Sequence, residues 1–339
     1  MPTSRDVARL AGVSQATVSR ALSSSSSVAP ATRAKVLAAM TTLGYSVHAG
    51  AQAMKTRRTN TVGVVVADLS NPFFTELLQE LTLVLDDAGQ RVVIWNSSSN
   101  NHTDALESIR TSAIDGVIFT TATPSSVELA AAVERQSPVV LINREVDGLD
   151  CDRIVSDNVA GAAHVAEFFV RHGRRDAAFI GGSPDAATSR DRARGFLDRM
   201  SDLGFPVPEH LRFEADFSHD VAYQITHKLL ARGIRPSAIF CVNDYMAFGA
   251  LDARRSRALA PEECWIVGYD DVEMASWDSF DLTTVRQPIK DMAVRGVAML
   301  LERINDPTLP PRRQSYPAAL LVRGSTPVRG DTPVRGDGM

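Results

Sequence analysis

The segment SQATVSR, residues 14–20, places side chains that can hydrogen-bond DNA bases at helical spacing. One arc of a helix over this segment carries Gln15, Ala16, Ser19 and Arg20. A glutamine amide can pair bidentately with adenine and a guanidinium group with guanine, and an alanine methyl can contact the thymine methyl group. The segment therefore predicts a helix that reads bases in the major groove. The alternative is a helical hairpin whose polar face meets only water.

Residues 3–22 contain the signals that would form such a helix and position it. Thr3 and Asp6 have the spacing of a capping box at the start of a first helix, and Gly12 can take the left-handed conformation that ends it. Ser14 can cap the second helix. The apolar sides of the two helices carry Val7, Leu10 and Ala11 on the first and Val18, Ala21 and Leu22 on the second. The pattern predicts two short helices packed across a tight turn.

Charge is distributed unevenly along the 339 residues. Residues 1–60 hold eight lysine and arginine side chains against the single acid Asp6, a net charge of +7, so the remainder carries −11 to give the total of −4. A basic segment on an acidic remainder is typical of a protein in which only that segment meets DNA phosphates. No apolar run approaches the about 20 residues that cross a bilayer, and no signal-peptide core is present, so we expect a cytoplasmic protein without a membrane partner.

The segments DVARLAGVSQATVSRAL (6–22) and VAPATRAKVLAAMTTLGY (28–45) resemble the amino terminus of the lactose repressor family of bacterial transcription regulators. The resemblance implies a helix-turn-helix DNA-binding domain over residues 1–47. It also implies a homodimer on a near-palindromic double-stranded operator, and the absence of carboxyl-terminal leucine heptads favours a dimer over a tetramer. By the same resemblance the base-reading positions are Gln15, Ala16 and Arg20, the phosphate-contacting positions are Ser14, Thr17 and Ser19, and Thr3 and Met54 complete the DNA-binding set.

Residues 48–60, HAGAQAMKTRRTN, correspond to the family's hinge, which in relatives becomes a helix on the operator and inserts a leucine into the minor groove. Met54 stands at the leucine's place, and methionine can serve as an apolar wedge. Three positions depart from the family pattern: His48 replaces an asparagine, Gln52 replaces an arginine, and Gly50 disfavours a helix by up to about 1 kcal/mol relative to alanine. The serine run 23–27 also replaces an asparagine-containing linker.

From Thr61 onward, short valine- and isoleucine-rich runs alternate with helical patterns, which predicts parallel sheets joined by crossover helices. The runs are VGVVVAD, VVIWN, GVIFTT, PVVLIN, AAFIGG, AIFCVN and WIVGYD, with helices at 74–88 and 191–203 among those between them. Two such sheets in series resemble the family's sensor, a two-lobed α/β domain like the periplasmic sugar-binding proteins.

We place this sensor at residues 61–326. Lobe one comprises 61–158 with 289–318, and lobe two comprises 159–288 with 319–326. The segment 327–339 contains most of a repeated TPVRGD motif and cannot build a core, so we expect a disordered tail.

Polar residues stand just after most of the apolar runs, where an open parallel sheet binds ligands. Carboxylate, amide and guanidinium groups can hydrogen-bond the hydroxyl groups of a sugar, and an aromatic ring can cover its apolar face. Individual residues also have structural explanations, since Asn243 with Asp244 can cap the following helix. By resemblance the effector-binding set is Phe73, Asn143, Arg144, Asp157, Arg192, Phe217, Asp244, Asp270 and Gln287.

The predicted effector is a sugar bound between the lobes, because the carboxylates Asp244 and Asp270 match hydroxyl groups. A purine that stacks on Phe217 is the alternative, since some relatives sense purines. The resemblance thus implies a repressor whose operator affinity is controlled by a small molecule.

Other protein classes fit the sequence less well. No GK[ST] phosphate loop, GxSxG elbow or HExxH motif is present. The adjacent Asp270 and Asp271 would point apart rather than act as an acid–base pair. The seven histidines and the cysteines Cys151, Cys241 and Cys264 lack metal-ligand or disulfide spacing. The sequence therefore predicts no enzyme, no catalytic residue, no cofactor and no metal, and the basic amino terminus argues against an exported sugar-binding protein.

Overall fold

The protein is described here from a computed structural model that covers residues 2–22, 28–45, 58–66, 68–97 and 103–328. The chain forms two compact units, Met1–Thr59 and Asn60–Met339. Several predictions lie outside the described residues: the serine linker 23–27, the hinge positions His48, Gly50, Gln52 and Met54, and the tail from residue 329.

The described part of the amino-terminal unit contains the helices α1 Ser4–Ala11, α2 Gln15–Leu22 and α3 Pro30–Leu43. The predicted capping box forms at α1, since the Asp6 carboxylate accepts hydrogen bonds from the Thr3 amide and hydroxyl at 2.9 and 2.7 Å. Gly12, with φ at 65°, turns the chain between α1 and α2. The predicted helix-turn-helix is therefore present.

A small apolar core joins these helices. Val7, Val18 and Val36 are fully buried, one from each helix. Leu10, which the helical period predicts on the buried side of α1, is 52% exposed. Because α1 has only two turns and packs against α2 and α3, fewer of its apolar residues are buried than its helical period predicts.

The larger unit alternates strands and helices. Its strands are β1 Thr61–Val66, β2 Arg91–Asn96, β3 Gly116–Phe119, β4 Val139–Ile142, β5 Asp152–Ser156, β6 Ala177–Gly181, β7 Arg212–Glu214, β8 Ala238–Cys241, β9 Trp265–Asp270, β10 Thr283–Arg286, β11 Arg313–Tyr316 and β12 Ala319–Leu321. Its α-helices are α4 Pro72–Asp87, α5 Thr103–Arg110, α6 Val127–Glu134, α7 Asn158–Arg171, α8 Ala187–Asp202, α9 His219–Ala231, α10 Asp244–Ser256 and α11 Ile289–Asn305. Two 3₁₀ turns, Glu209–Leu211 and Glu273–Ser276, complete the described elements.

The strands form two sheets, one in each lobe. The first has the order β11-β5-β4-β3-β1-β2 and the second the order β12-β10-β9-β8-β6-β7. Neighbouring strands are parallel except for β12, which is antiparallel to β10. The prediction of a helix-turn-helix followed by a two-lobed α/β unit is confirmed. Because the strands within each sheet run nearly all one way, their carboxyl ends gather at one edge.

The chain passes between the sheets three times: from β5 into α7, from β10 into α11, and from β11 into β12. Strand β11 thus belongs to the first sheet and β12 to the second. Val328 is partly buried against the main core, so it packs with the lobes although it lies within the predicted tail.

The main core runs through both lobes, and a second cluster lies on the other face of the first sheet. The largest fully buried side chains include Trp265, Tyr269 and Phe240. Among the described residues, no helix has the length and apolar character needed to cross a bilayer.

Candidate functional site

The predicted base-reading side chains lie on the exposed face of α2. Gln15, Ala16, Ser19 and Arg20 are all exposed. The Gln15 Nε2 donates to Ser4 Oγ at 2.7 Å, which links the start of α2 to the start of α1. The Arg20 Nε donates to the Ala16 carbonyl oxygen at 3.4 Å. An amide, a methyl and a guanidinium group therefore share one helical face, the combination that can distinguish bases in the major groove.

The hydroxyl residues predicted to contact phosphate lie near the amino end of α2. Ser14 Oγ accepts from the Thr17 amide at 3.1 Å and so caps the helix. Ser14 and Ser19 are exposed and Thr17 is half-buried. A helix amino terminus presents amide groups and a partial positive charge that attract phosphate. Thr3 is exposed at the start of α1, and Met54 lies outside the described residues.

In the larger unit, the carboxyl ends of strands from both lobes meet at a cleft. A cavity of about 340 Å³ lies there, and its lining includes Asp68, Asn71, Phe74, Arg144, Ser183, Asp216, Phe217, His219 and Tyr245. A smaller cavity of about 20 Å³ is lined by Asn71, Phe73, Phe74, Asn143, Arg144, Thr188, Arg192, Phe217, Asn243 and Asp270. We call these the larger and the smaller cavity. The larger one falls in the range of about 300–1,000 Å³ that small-ligand sites occupy.

Arg192, on α8, is the centre of a buried hydrogen-bond network beside the smaller cavity. It is 3% exposed. Its Nε donates to Asn158 Oδ1 at 2.8 Å, and its NH1 donates to the Val242 carbonyl oxygen at 2.6 Å and to Asp270 Oδ1 at 3.2 Å. The guanidinium carbon also lies 3.7 Å from the centre of the Tyr269 ring. Arg192 is therefore held in one position by contacts on several sides.

Gln287 extends this network to the chain crossing. Its Nε2 donates to Asp270 Oδ1 at 2.7 Å, and its Oε1 accepts from Ser156 Oγ at 2.6 Å. Ser156 ends β5 in lobe one and Asp270 ends β9 in lobe two, so Gln287 joins the two lobes. Gln287 does not line either cavity, and its hydrogen bonds place it as a support for Asp270. Burial outweighs the attraction of Arg192 and raises the pKa of Asp270 to about 6.

Asn143 and Arg144 follow β4 on the opposite wall of the cleft. Arg144 NH1 donates to the Asn143 carbonyl oxygen at 2.8 Å and, across the lobes, to Thr188 Oγ1 at 3.1 Å. Burial, and then the charge of Arg192, lower the pKa of Arg144 to about 10. The side-chain oxygen of Asn143 is buried and has no hydrogen-bond partner. This wall of the cleft therefore has unused hydrogen-bonding capacity.

Aromatic rings supply the apolar part of the lining. Phe73 and Phe74 pack edge to face with ring centres 5.5 Å apart at the start of α4. Phe217, half-buried, lies across from them in lobe two. A Cβ on Gly182 would come within 2.3 Å of the Phe217 ring, so glycine at 182 leaves the space that this ring occupies.

Five non-glycine residues around the cleft have positive φ. They are Asn143 (60°), Asp216 (45°), Phe217 (59°), Asp270 (127°) and Asp271 (58°). Such conformations cost about 1–3 kcal/mol each and concentrate at functional sites. Three of the five, Asn143, Phe217 and Asp270, line the smaller cavity, which supports its assignment as a binding site.

Like Gln287, two further predicted effector contacts line neither the larger nor the smaller cavity. Asp244 is fully buried within lobe two, where its carboxylate accepts from the Val272 amide at 3.0 Å and from the Thr284 hydroxyl. Asp157 is exposed, caps α7 through the Ala160 amide at 3.0 Å, and lines neither cavity. In both cases the carboxylate accepts a hydrogen bond from a backbone amide instead of lining either of these cavities.

Several residues that line the cleft are absent from the predicted effector set. Asn243, next to Asp244, lines the smaller cavity, and its Oδ1 caps α10 by accepting from the Met246 amide at 2.9 Å. Asn71, Phe74 and Asn243 carry a signal, because they stand just after apolar runs. Thr188 and Tyr245 lie inside helical stretches and carry none. Of the nine predicted positions, the smaller cavity brings together Phe73, Asn143, Arg144, Arg192, Phe217 and Asp270.

Comparisons with known proteins agree with both units. Residues 3–47 match the model of the bacterial regulatory proteins of the lacI family, and residues 166–326 match the periplasmic binding protein-like domain. The ribose operon repressor of Escherichia coli (strain K12) is 31% identical over 330 residues, covering 96% of this chain and 100% of the relative. The transcriptional repressor PurR of Photobacterium profundum is 30% identical over 312 residues, covering 90% and 93%.

The fold is also similar to that of a solved structure. The lac repressor dimer bound to operator and the anti-inducer ONPF superposes with a TM-score of 0.83 at 26% identity, covering 96% of this chain and 99% of that one. The sequence matches span the exposed face of α2 and the strands that form the cleft. The chain therefore belongs to the lacI family of bacterial regulatory proteins and is a helix-turn-helix transcription regulator with a periplasmic-binding-protein-like sensor.

Proposed function

We propose that this protein is a transcriptional repressor whose operator affinity is controlled by a sugar-like effector bound in the cleft between the two lobes. The observation that carries the proposal is the cleft itself, in which buried Asn143 and Asp270 from two strand ends and buried Arg192 from α8 surround one cavity beside aromatic rings. Hydrogen-bond donors and acceptors next to aromatic rings suit a compound with many hydroxyl groups and an apolar ring face.

The proposed effector contacts combine six predicted residues with two that the cleft adds. They are Phe73, Asn143, Arg144, Arg192, Phe217 and Asp270, together with Phe74 and Asn243. A sugar is favoured over a purine because most of the residues that line the larger cavity have polar side chains, and because the ribose operon repressor is among the relatives. A flat purine stacked on Phe217 is the second candidate, supported by the half-buried ring of that residue.

At the DNA, Gln15, Ala16 and Arg20 read bases, and Ser14, Thr17 and Ser19 contact phosphates. The protein acts as a homodimer on a near-palindromic operator, as the lac repressor dimer is operator-bound. Effector binding changes the relation between the lobes, which the contact between Arg144 and Thr188 joins across the cleft. We place the protein in the cytoplasm, where a repressor meets the bacterial chromosome. That the relatives are repressors favours regulation over catalysis.

The substitution Arg20→Ala tests the base-reading role. It should weaken operator binding by about 1–3 kcal/mol and relax the preference at one base pair of each half-site, since a bidentate contact to guanine is lost. The measurement is titration of the purified protein against an operator and all its single-base variants.

Arg33→Ala is the matched control, because Arg33 is an exposed arginine on α3 away from the reading face. It removes the same charge and should weaken binding equally for every sequence. If Arg20→Ala behaved like Arg33→Ala and kept the base preference unchanged, the assigned role of Arg20 would be wrong. If the wild-type protein preferred no palindromic duplex over random DNA, the proposed function itself would fail.

A further inference from the structure

Two buried guanidinium groups in the cleft share one carboxylate. Arg144 is 6% exposed, Arg192 is 3% exposed and Asp270 is 3% exposed. Asp270 accepts from Arg192 and from Gln287. The hydrogen bonds of Arg144 go instead to two neutral oxygen atoms, those of the Asn143 carbonyl and the Thr188 hydroxyl. Buried charges in proteins are normally paired, so this wall carries an excess positive charge.

The second buried carboxylate of this region does not balance that charge. Burial, and then repulsion by Asp270, raise the pKa of Asp244, which disfavours its charged form. Its oxygen atoms are also engaged by Val272 and Thr284, away from Arg144.

The carboxylates that line the larger cavity are at its surface. Asp68, Asp216 and Asp220 are exposed, so water screens their charge. They can accept hydrogen bonds from hydroxyl groups of a ligand, but they cannot neutralise a guanidinium group that is buried beside Arg192. The excess charge therefore stays at Arg144, which lines both cavities.

An unpartnered acceptor lies beside this charge. Asn143 is 3% exposed, and its side-chain oxygen makes no hydrogen bond. A buried polar atom without a partner destabilises the protein, and a ligand hydroxyl group that donates to it would remove this cost. Asn143 and Arg144 are adjacent in the chain and both line the smaller cavity. This wall can therefore bind an oxyanion at Arg144 and a hydroxyl group at Asn143 of the same ligand.

We propose that the effector is an anionic polyhydroxy compound, whose carboxylate or phosphate oxygens bind the Arg144 guanidinium while a neighbouring hydroxyl group donates to Asn143 Oδ1. This inference rests on the proposed function and narrows its ligand from sugars in general to sugar acids or sugar phosphates. A guanidinium group binds either oxyanion through two parallel hydrogen bonds, and such charge-assisted bonds are about twice as strong as neutral ones. A neutral sugar would leave the buried charge uncompensated.

The test compares compounds that share a carbon skeleton. Thermal unfolding and calorimetric titration of the full-length protein are measured with neutral hexoses and pentoses, the corresponding aldonic and uronic acids, the corresponding terminal phosphates, and free purines. At least one acid or phosphate should raise the Tm and bind at least ten times more tightly than its neutral parent. Comparison of the acid and phosphate series then identifies which oxyanion the site takes.

Variants at Arg144 locate the effect. Arg144→Gln keeps hydrogen-bond donors but loses the charge, and it should weaken binding of the anionic compound about 30-fold or more. Arg144→Lys keeps the charge and should lose less. Arg235→Gln is the matched control: Arg235 pairs with Glu263 on the surface of lobe two, so its removal should leave the affinity unchanged. If Arg144→Gln does not fold, the ratio between anionic and neutral compounds on the wild-type protein still decides.

The proposal is overturned if neutral sugars or purines bind at least as well as their anionic counterparts, if no anionic compound binds, or if Arg144→Gln binds the anion as the wild type does. Operator binding is measured in the same samples. A neutral sugar that alters operator affinity would overturn the anionic ligand and leave the proposed regulator intact. If the protein showed no preference for an operator, the proposed regulatory function would be overturned, whatever the ligand measurements show.

Discussion

The sensor contains two places where a pair of arginines meets one buried carboxylate, and the two are satisfied very differently. Asp152, at the start of β5, accepts from Arg303 Nε at 2.8 Å and NH2 at 2.9 Å, and from Arg312 NH2 at 2.8 Å, Nε at 3.2 Å and the backbone amide at 2.9 Å. Asp270, in the cleft, accepts from Arg192 alone of its two neighbouring arginines, and from Gln287.

The difference is also visible in the pKa values. Burial opposes ionisation of Asp152, but the hydrogen bonds of Arg303 and Arg312 outweigh it and lower the pKa of Asp152 below its usual value. At Asp270 burial prevails and the pKa rises to about 6. We call Asp152 the saturated carboxylate, because it accepts five hydrogen bonds from Arg303 and Arg312. It ties β5 to α11 and to the segment entering β11, so its role is structural. We call Asp270 the unsaturated carboxylate, because it accepts only two of these side-chain hydrogen bonds and lies beside the cavity where a ligand would add others.

The comparison predicts the largest loss of stability at the saturated carboxylate. Asp152→Asn should lower the free energy of unfolding by about 3 kcal/mol, since removal of the carboxylate leaves the largely buried Arg303 guanidinium group without its ion-pair partner. The value is at the lower end of the usual range because Arg312 keeps its ion pair with Glu302 and 24% side-chain exposure. Urea denaturation measures it. Asp150→Asn, two residues away and exposed, should change stability by less than about 0.5 kcal/mol; an equal loss in both variants would contradict the structural role of Asp152.

A different effect is expected at the unsaturated carboxylate. Because the pKa of Asp270 is raised in the folded protein, its ionised form at pH 7 is less favourable for folding than a neutral side chain. Asp270→Asn keeps the acceptor for Arg192 and Gln287, so it should leave the free energy of unfolding unchanged or raise it slightly, while altering effector binding. The same urea experiment measures the stability and calorimetric titration measures the binding. A loss as large as that of Asp152→Asn would remove the distinction between the two carboxylates.

The apolar strands were predictable from sequence because a parallel strand covered on both faces must be apolar throughout. Strands β1, β3, β4, β6, β8 and β9 meet this condition. Strands β5 and β11 do not, since they carry charged or polar residues such as Asp152 and Arg313, and β12 is only three residues long. All three lie where the chain crosses between the lobes. Their pairing depends on partners far away in the chain, which a local pattern does not contain.

At the cleft, the predicted contacts Asp157 and Asp244 line neither cavity for one shared physical reason. Asp157 and Asn243 are the caps of α7 and α10, and Asn158 and Asp244 are the first residues of those helices. Adjacent residues at a helix start point in directions about 100° apart, so the sequence identifies the strand end but not which of two neighbours faces the cleft. At α10 the cap, Asn243, lines the smaller cavity, whereas at α7 the residue after the cap, Asn158, binds Arg192 and neither of the two lines the larger or the smaller cavity.

The smallest expected effect is a difference in pH dependence between the two carboxylates. The pKa of Asp152 is lowered in the folded protein, so its contribution to stability is present above the unfolded pKa and is lost as the pH falls through the folded pKa. The pKa of Asp270 is raised, so its contribution to stability is greatest below the unfolded pKa and is lost as the pH rises through about 6.

Between about pH 4.5 and 7, the stability difference between wild type and Asp152→Asn should therefore stay nearly constant. Over the same range the wild type should lose stability relative to Asp270→Asn, by on the order of 1 kcal/mol. Urea denaturation of the three proteins across this range gives both differences. If the two stability differences changed with pH in the same way, Asp270 would be neutralised by its arginines as fully as Asp152 is, and the contrast between the two carboxylates would be wrong.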